Sequence, residues 1–159
     1  MSSLKDLYTE LRTELESISG IKYVRLWNNQ FERENVNEAF QYPCCLIEFE
    51  PTECRDLLNG VQQYDFVVCV HLGFESYKTE DIDILDLKQQ VFIKLGNYNS
   101  TTNMFSILSR ESETQNFDHD NIQDYQIRFK VTGKDFDADT RPNTEANITD
   151  LTINGTIDL

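Results

Sequence analysis

Apolar positions near the start of the chain recur at the helical period. Leu4, Leu7, Tyr8, Leu11, Leu15 and Ile18 follow one another at spacings of three and four. They predict one buried stripe on a helix of about four turns. Ser2 or Ser3 with Asp6 offers an Asp form of the capping box, and Gly20 stands where a left-handed residue ends a helix. The period then drops to two. Ile21, Tyr23, Arg25 and Trp27 share one parity, and Lys22, Val24 and Leu26 share the other, which predicts a short strand. Asn28–Gln41 is polar, with Phe31, Val36 and Phe40 as anchors, and reads as a loop. Pro43 opens a strand over Cys44–Phe49, where a first-position proline costs no ladder bond, and Pro51 closes it. Residues 51–60 then read as a long hairpin tip carrying Leu57 and Leu58 and ending in the turn signal Asn59-Gly60.

The longest strand-like run is Val61–Glu75. Tyr64, Phe66, Val68, Val70, Leu72 and Phe74 make one strongly apolar face, and Asp65, Val67, Cys69, His71 and Gly73 make a mixed one. This predicts a central strand antiparallel to Cys44–Phe49. A second helix is predicted over Thr79–Gly96, with Glu80, Asp81 and Asp83 at its positive end and Ile84, Leu85, Leu87, Val91, Phe92 and Leu95 as its apolar face. Met104–Arg110 reads as a weak strand, Glu111–Asn121 as an acidic loop, and Ile122–Phe136 as the last strand. The fold class is therefore α+β, a mostly antiparallel sheet with two helices packed on one face, forming a single domain over residues 1–136. Residues 137–159 read as a C-terminal extension that orders only in an assembly, because Ile148, Leu151 and Ile153 stand alone among polar neighbours.

Charge narrows the choice of partners. Lys and Arg total 14 against 28 Asp and Glu, a net charge of −14. Gripping nucleic acid needs Lys and Arg to displace counterions, so sequence-independent DNA binding is disfavoured, as is an anionic membrane surface. Basic protein partners are favoured. No apolar leader and no spanning run stand out, so the expected setting is intracellular, with Cys44, Cys45, Cys54 and Cys69 as reduced thiols.

Candidate chemistry is sparse. Two histidines and six glycines leave little for catalysis or phosphate binding, and the nucleophile-elbow, P-loop, dinucleotide and zincin patterns are absent. His71 shares a face with Cys69, and Cys45 is a candidate neighbour, but the set lacks a fourth soft ligand and close spacing. His119, in Asp118-His119-Asp120, reads as a solvated loop. The expectation is no enzyme, no cofactor and no metal site. Trp27 reads first as core packing and second, beside Arg25, as an interface anchor.

Three passages carry a family resemblance: the helix Leu4–Ile18 running into Ile21–Trp27; Tyr42-Pro43-Cys44-Cys45-Leu46-Ile47-Glu48-Phe49; and Arg110-Glu111 leading through an acidic loop into Asp124–Val131. Over residues 3–136 the order of elements resembles the tail-terminator, or tail-completion, proteins of long-tailed bacteriophages. The resemblance implies a structural ring, usually a homohexamer, at the head-proximal end of the tail. Its partners would be copies of itself, the tail tube protein and a neck or connector protein. DNA would pass through the lumen without specific binding, and no membrane is involved. The chain would be made in the host cytoplasm and reside in the virion. Expected interface residues are Arg25, Trp27, Arg55, Leu57, Leu58, Ile148, Leu151 and Ile153. Acidic side chains, with Glu111–Asp120 as one source, would line the channel, and Arg25, Arg55 and Arg128 would sit in the sheet or at protein contacts. The alternatives are another phage neck or head–tail connector protein, an acidic intracellular binding module, and a carboxylate-based metal-dependent hydrolase.

Overall fold

The computed structural model describes residues 3–31, 41–75, 78–117, 121–136 and 138. In order it contains α1 (Ser3–Glu16), β1 (Tyr23–Leu26), β2 (Cys44–Leu58), β3 (Val61–Glu75), α2 (Asp81–Leu95), β4 (Ser109–Asn116) and β5 (Ile122–Asp135). The strands form one sheet in the order β1-β2-β3-β5-β4. The class is α+β, as the two periodicities require, and β3 is the central strand. Among the described residues no helix is long and apolar enough to cross a membrane.

One face of the sheet lies under both helices. Cys45 and Ile47 of β2, Phe66 to Phe74 at alternate positions of β3, and Ile127, Phe129 and Val131 of β5 meet Leu7, Leu11 and Leu15 of α1 and Ile84, Leu87, Val91 and Leu95 of α2. Each of these stripes follows from its period, since side chains three or four apart stack on a helix and alternate ones share a strand face. Polar contacts tie α1 to its neighbours. Thr101 N donates to Glu10 at 3.2 Å, and Lys94 pairs with Glu14 at 3.5 Å.

Several boundaries differ from the sequence reading. Pro51 does not end β2, which continues to Leu58 alongside β3. The ladder shifts register between Pro51 and Glu53, and this bulge accommodates a residue with no N–H to give. Residues 51–60 are therefore an ordered arm and not a loop, closed by Asn59 and Gly60, both at positive φ (53° and 85°), as a tight two-residue hairpin turn demands. Glu111–Asn116 is likewise no loop but most of β4, an edge strand on β5. Its exposed positions are polar because an edge strand is protected by charge, so it shows no apolar alternation. Of Met104–Arg110 only Ser109 and Arg110 belong to that strand, and Phe105 makes an isolated bridge to Gly133. The sheet is mixed, because β1 pairs parallel to β2. Leu85 is exposed, lying about 100° round the helix from Ile84. Ser2, Val36, Phe40, Asp118-His119-Asp120 and the stretch carrying Ile148, Leu151 and Ile153 lie outside the described residues.

Candidate functional site

The second face of the sheet brings together the groups that carry chemistry. Alternation puts Cys69 and His71 of β3 on this face. The antiparallel registers place Glu48 opposite Cys69 from one side and Arg128 opposite it from the other, while Asp124 stands opposite Gly73. His71 lies between two carboxylates. Its Nδ1 is 3.1 Å from Asp124 Oδ2 and its Nε2 is 3.0 Å from Glu48 Oε2. The ligand atoms of Glu48, Cys69 and His71 lie within 4.8 Å of one another. Gln126 Nε2 also donates to Asp124 Oδ2 at 3.2 Å, and Arg128 donates to Gln126 and forms an ion pair with Glu50. Asp124 is fully buried, and its Oδ1 has no partner among the described residues.

An apolar roof closes one side of this cluster. β1 ends at Leu26, Trp27 N donates to Ile47 O at 2.7 Å, and the Trp27 ring stacks on His71 at 4.0 Å with 6° between the planes. Phe31 packs edge-on to Trp27. Gly73 makes room for it, since a Cβ there would stand 2.5 Å from Phe31 Cζ and 2.9 Å from Cys44 Sγ. The glycine in mid-strand thus marks a close approach and not a weak point in the ladder. Glu48 stays a third exposed and leaves the cluster open on its own side.

Burial alone would lower the His71 pKa, because it penalises the imidazolium. Hydrogen bonding to Asp124, with Cys69 and Glu48 adding to it, overcomes that penalty and holds the group up at about 10. Burial pushes the Cys44 thiol up to about 12 and Cys45 well above its usual range, which makes both unreactive packing groups. Cys45 does not join His71. It pairs with Leu72 and faces the helices. All four cysteines are free, and only Cys54 is exposed.

The expected interface residues fall in separate places. Arg25 is exposed on β1, its guanidinium 5.1 Å from the centre of the Tyr23 ring, whereas half-buried Trp27 serves the core of the second face. Arg55, Leu57 and Leu58 lie on the arm, where Arg55 pairs with Glu53 at 2.9 Å and reaches Asp65 at 3.6 Å. Ten residues of β2 separate Ile47, beside β1, from Leu57, about 33 Å at strand rise, so the two groups do not form one patch. Arg128 sits in the sheet, as its place in a strand implies. An open cleft of about 540 Å³ lies between Gly20, Tyr42-Pro43 and the first turns of α2, lined by Lys22, Lys78, Glu75, Glu80, Asp83 and Asp86 among others. Sequence reasoning missed Glu48 and Asp124 as partners of His71. The parity of residues 69 and 71 was readable, but the register that supplies the carboxylates is not a local property. No protein-family model matches the chain, and no curated protein matches it.

Proposed function

We propose that this chain is a structural ring subunit of a long-tailed bacteriophage, placed at the head-proximal end of the tail, where it caps the tube and joins it to the neck. The observation that carries the reading is the arm. Every residue from 51 to 60 is exposed, and Leu57 and Leu58 are held 47% and 72% exposed on a regular, hydrogen-bonded strand. An ordered strand that leaves apolar side chains this exposed is suited to a neighbouring subunit. Leu26, 50% exposed on the edge strand β1, gives a second and different surface at the far end of β2. A head-to-tail ring needs two unlike surfaces on each subunit, whereas a two-fold dimer needs one self-complementary surface. The order of elements and the Tyr42–Phe49 passage carry the resemblance to tail terminators. The net charge of −14 suits a channel through which DNA passes without being held. With Glu111–Asn116 in an edge strand, acidic residues of β4 take the place of a loop as the candidate channel lining.

The test is co-expression with the tube and neck proteins encoded beside it, followed by electron microscopy. Rings of this chain at one end of the tubes are expected. Tubes that form, end and join the neck identically without it would contradict the reading.

A further inference from the structure

We propose that Glu48, Cys69 and His71 form a binding site for a divalent transition metal of the zinc class, with Asp124 as the outer partner that orients the histidine. This inference is independent of the ring reading. It starts from the geometry of the cluster, whose three ligand atoms converge within 4.8 Å. The buried Asp124 carboxylate accepts at His71 Nδ1, which fixes that nitrogen as a donor. A neutral His71 then directs the lone pair of Nε2 at Glu48 Oε2, only 3.0 Å away. That lone pair, the Glu48 carboxylate and the Cys69 sulfur then face one another across a gap small enough for one ion to bridge. A metal ion there would take the Nε2 lone pair and a Glu48 oxygen together.

The geometry suits an ion. Zinc sits at roughly 2.3 Å from sulfur and about 2.0–2.2 Å from nitrogen and oxygen. Ligand atoms within 4.8 Å of one another converge on it with small side-chain movements. Three protein ligands leave one open coordination position. The thiolate excludes magnesium and calcium, which take oxygen, and selects a softer ion. The Asp124–His71–metal line is the outer-shell arrangement that holds a ligating imidazole in one tautomer. Trp27, stacked flat on the imidazole, fixes the ring plane. The third of Glu48 that stays exposed provides the way in. Loading releases the His71 Nε2 proton and the Cys69 thiol proton to solvent, because both ligands bind deprotonated. The ion would fasten β2 to β3 at the centre of the sheet.

The experiment uses the full-length, untagged chain, stripped of metal and dialysed against zinc, with cobalt as the spectroscopic probe. One zinc per chain is expected, with a thiolate-to-cobalt charge-transfer band, a rise in melting temperature on loading and its reversal by chelator. Cys69→Ser should abolish the band. Glu48→Gln, an isosteric change at a position a third exposed, should weaken zinc binding at least tenfold. Asp124→Asn should weaken it by about 10–100-fold, the usual effect of losing an outer-shell partner. Cys54→Ser should change none of these readings. A folded wild-type chain that retains no stoichiometric zinc overturns the proposal. So does a cobalt band that survives Cys69→Ser or disappears with Cys54→Ser, or zinc affinity that Glu48→Gln leaves unchanged.

Discussion

The same two strands, β2 and β3, run from a body buried on both faces to an arm whose β2 half is exposed along its length. In the body, residues 66–74 of β3 are buried on both faces, by helices on one side and by the His71 cluster and its aromatic roof on the other. In the arm, residues 51–58 of β2 keep the same ladder with every side chain exposed. Backbone pairing is therefore not what separates the two. The body is covered on both faces, whereas the β2 half of the arm is paired on the ladder and exposed. Regularity alone does not mark a core, and an exposed apolar side chain on a regular strand points to assembly.

The largest expected effect comes from breaking the cover. Leu11→Asp puts an unpaired charge under α1 at a fully buried position. It should cost more than about 5 kcal/mol, comparable with the whole stability of a domain this size. The measurement is circular dichroism on heating, and a cooperative melt near the wild-type temperature would show that α1 is not part of the core. Next comes the second face. His71→Leu leaves the buried Asp124 carboxylate with the neutral Gln126 donor but without its ionic partner, which should cost about 3–5 kcal/mol in metal-free protein by urea unfolding. The double variant His71→Leu with Asp124→Leu should recover part of that loss. A double variant worse than the sum of the singles would mean the pair is not the cause.

A smaller effect tests the close approach at Gly73. Gly73→Ala drives a methyl group against Phe31 and Cys44 and should cost about 1–3 kcal/mol, the usual range for overpacking. An unchanged urea midpoint would place Phe31 elsewhere. The smallest effect belongs to the arm. Leu57→Ser and Leu58→Ser should each shift folding stability by no more than about 0.5 kcal/mol, as exposed substitutions do, while reducing assembly. A large loss of stability in the isolated subunit would put these side chains in its core and remove the contrast.

Local period reveals β3, α1, α2 and β5, because each carries an apolar stripe that only one kind of backbone can bury. It fails where burial is absent. The arm has Glu53, Arg55 and Asp56 where a covered strand would have apolar residues, and Pro51 imitates a stop that the bulge absorbs. β4, with Ser109, Glu111, Ser112 and Glu113, has no stripe to detect. The parallel pairing of β1 with β2 is not a local property of either strand. The site divides the same way. Cys69 and His71 share a face by parity, but Glu48 and Asp124 reach them only through registers set over the whole sheet. Even so, pairing Cys45 with Leu72 would have placed that thiol under the helices, since Leu72 belongs to the apolar set.

A cryo-electron microscopy map of the assembled tail containing this chain would show whether the arm is the contact surface of a ring. The expected map has a closed ring at the head-proximal end, with Leu57 and Leu58 buried against the next subunit or the adjoining ring. A map in which this chain is absent from that end, or in which residues 51–60 project into solvent while the ring closes through other surfaces, would contradict it.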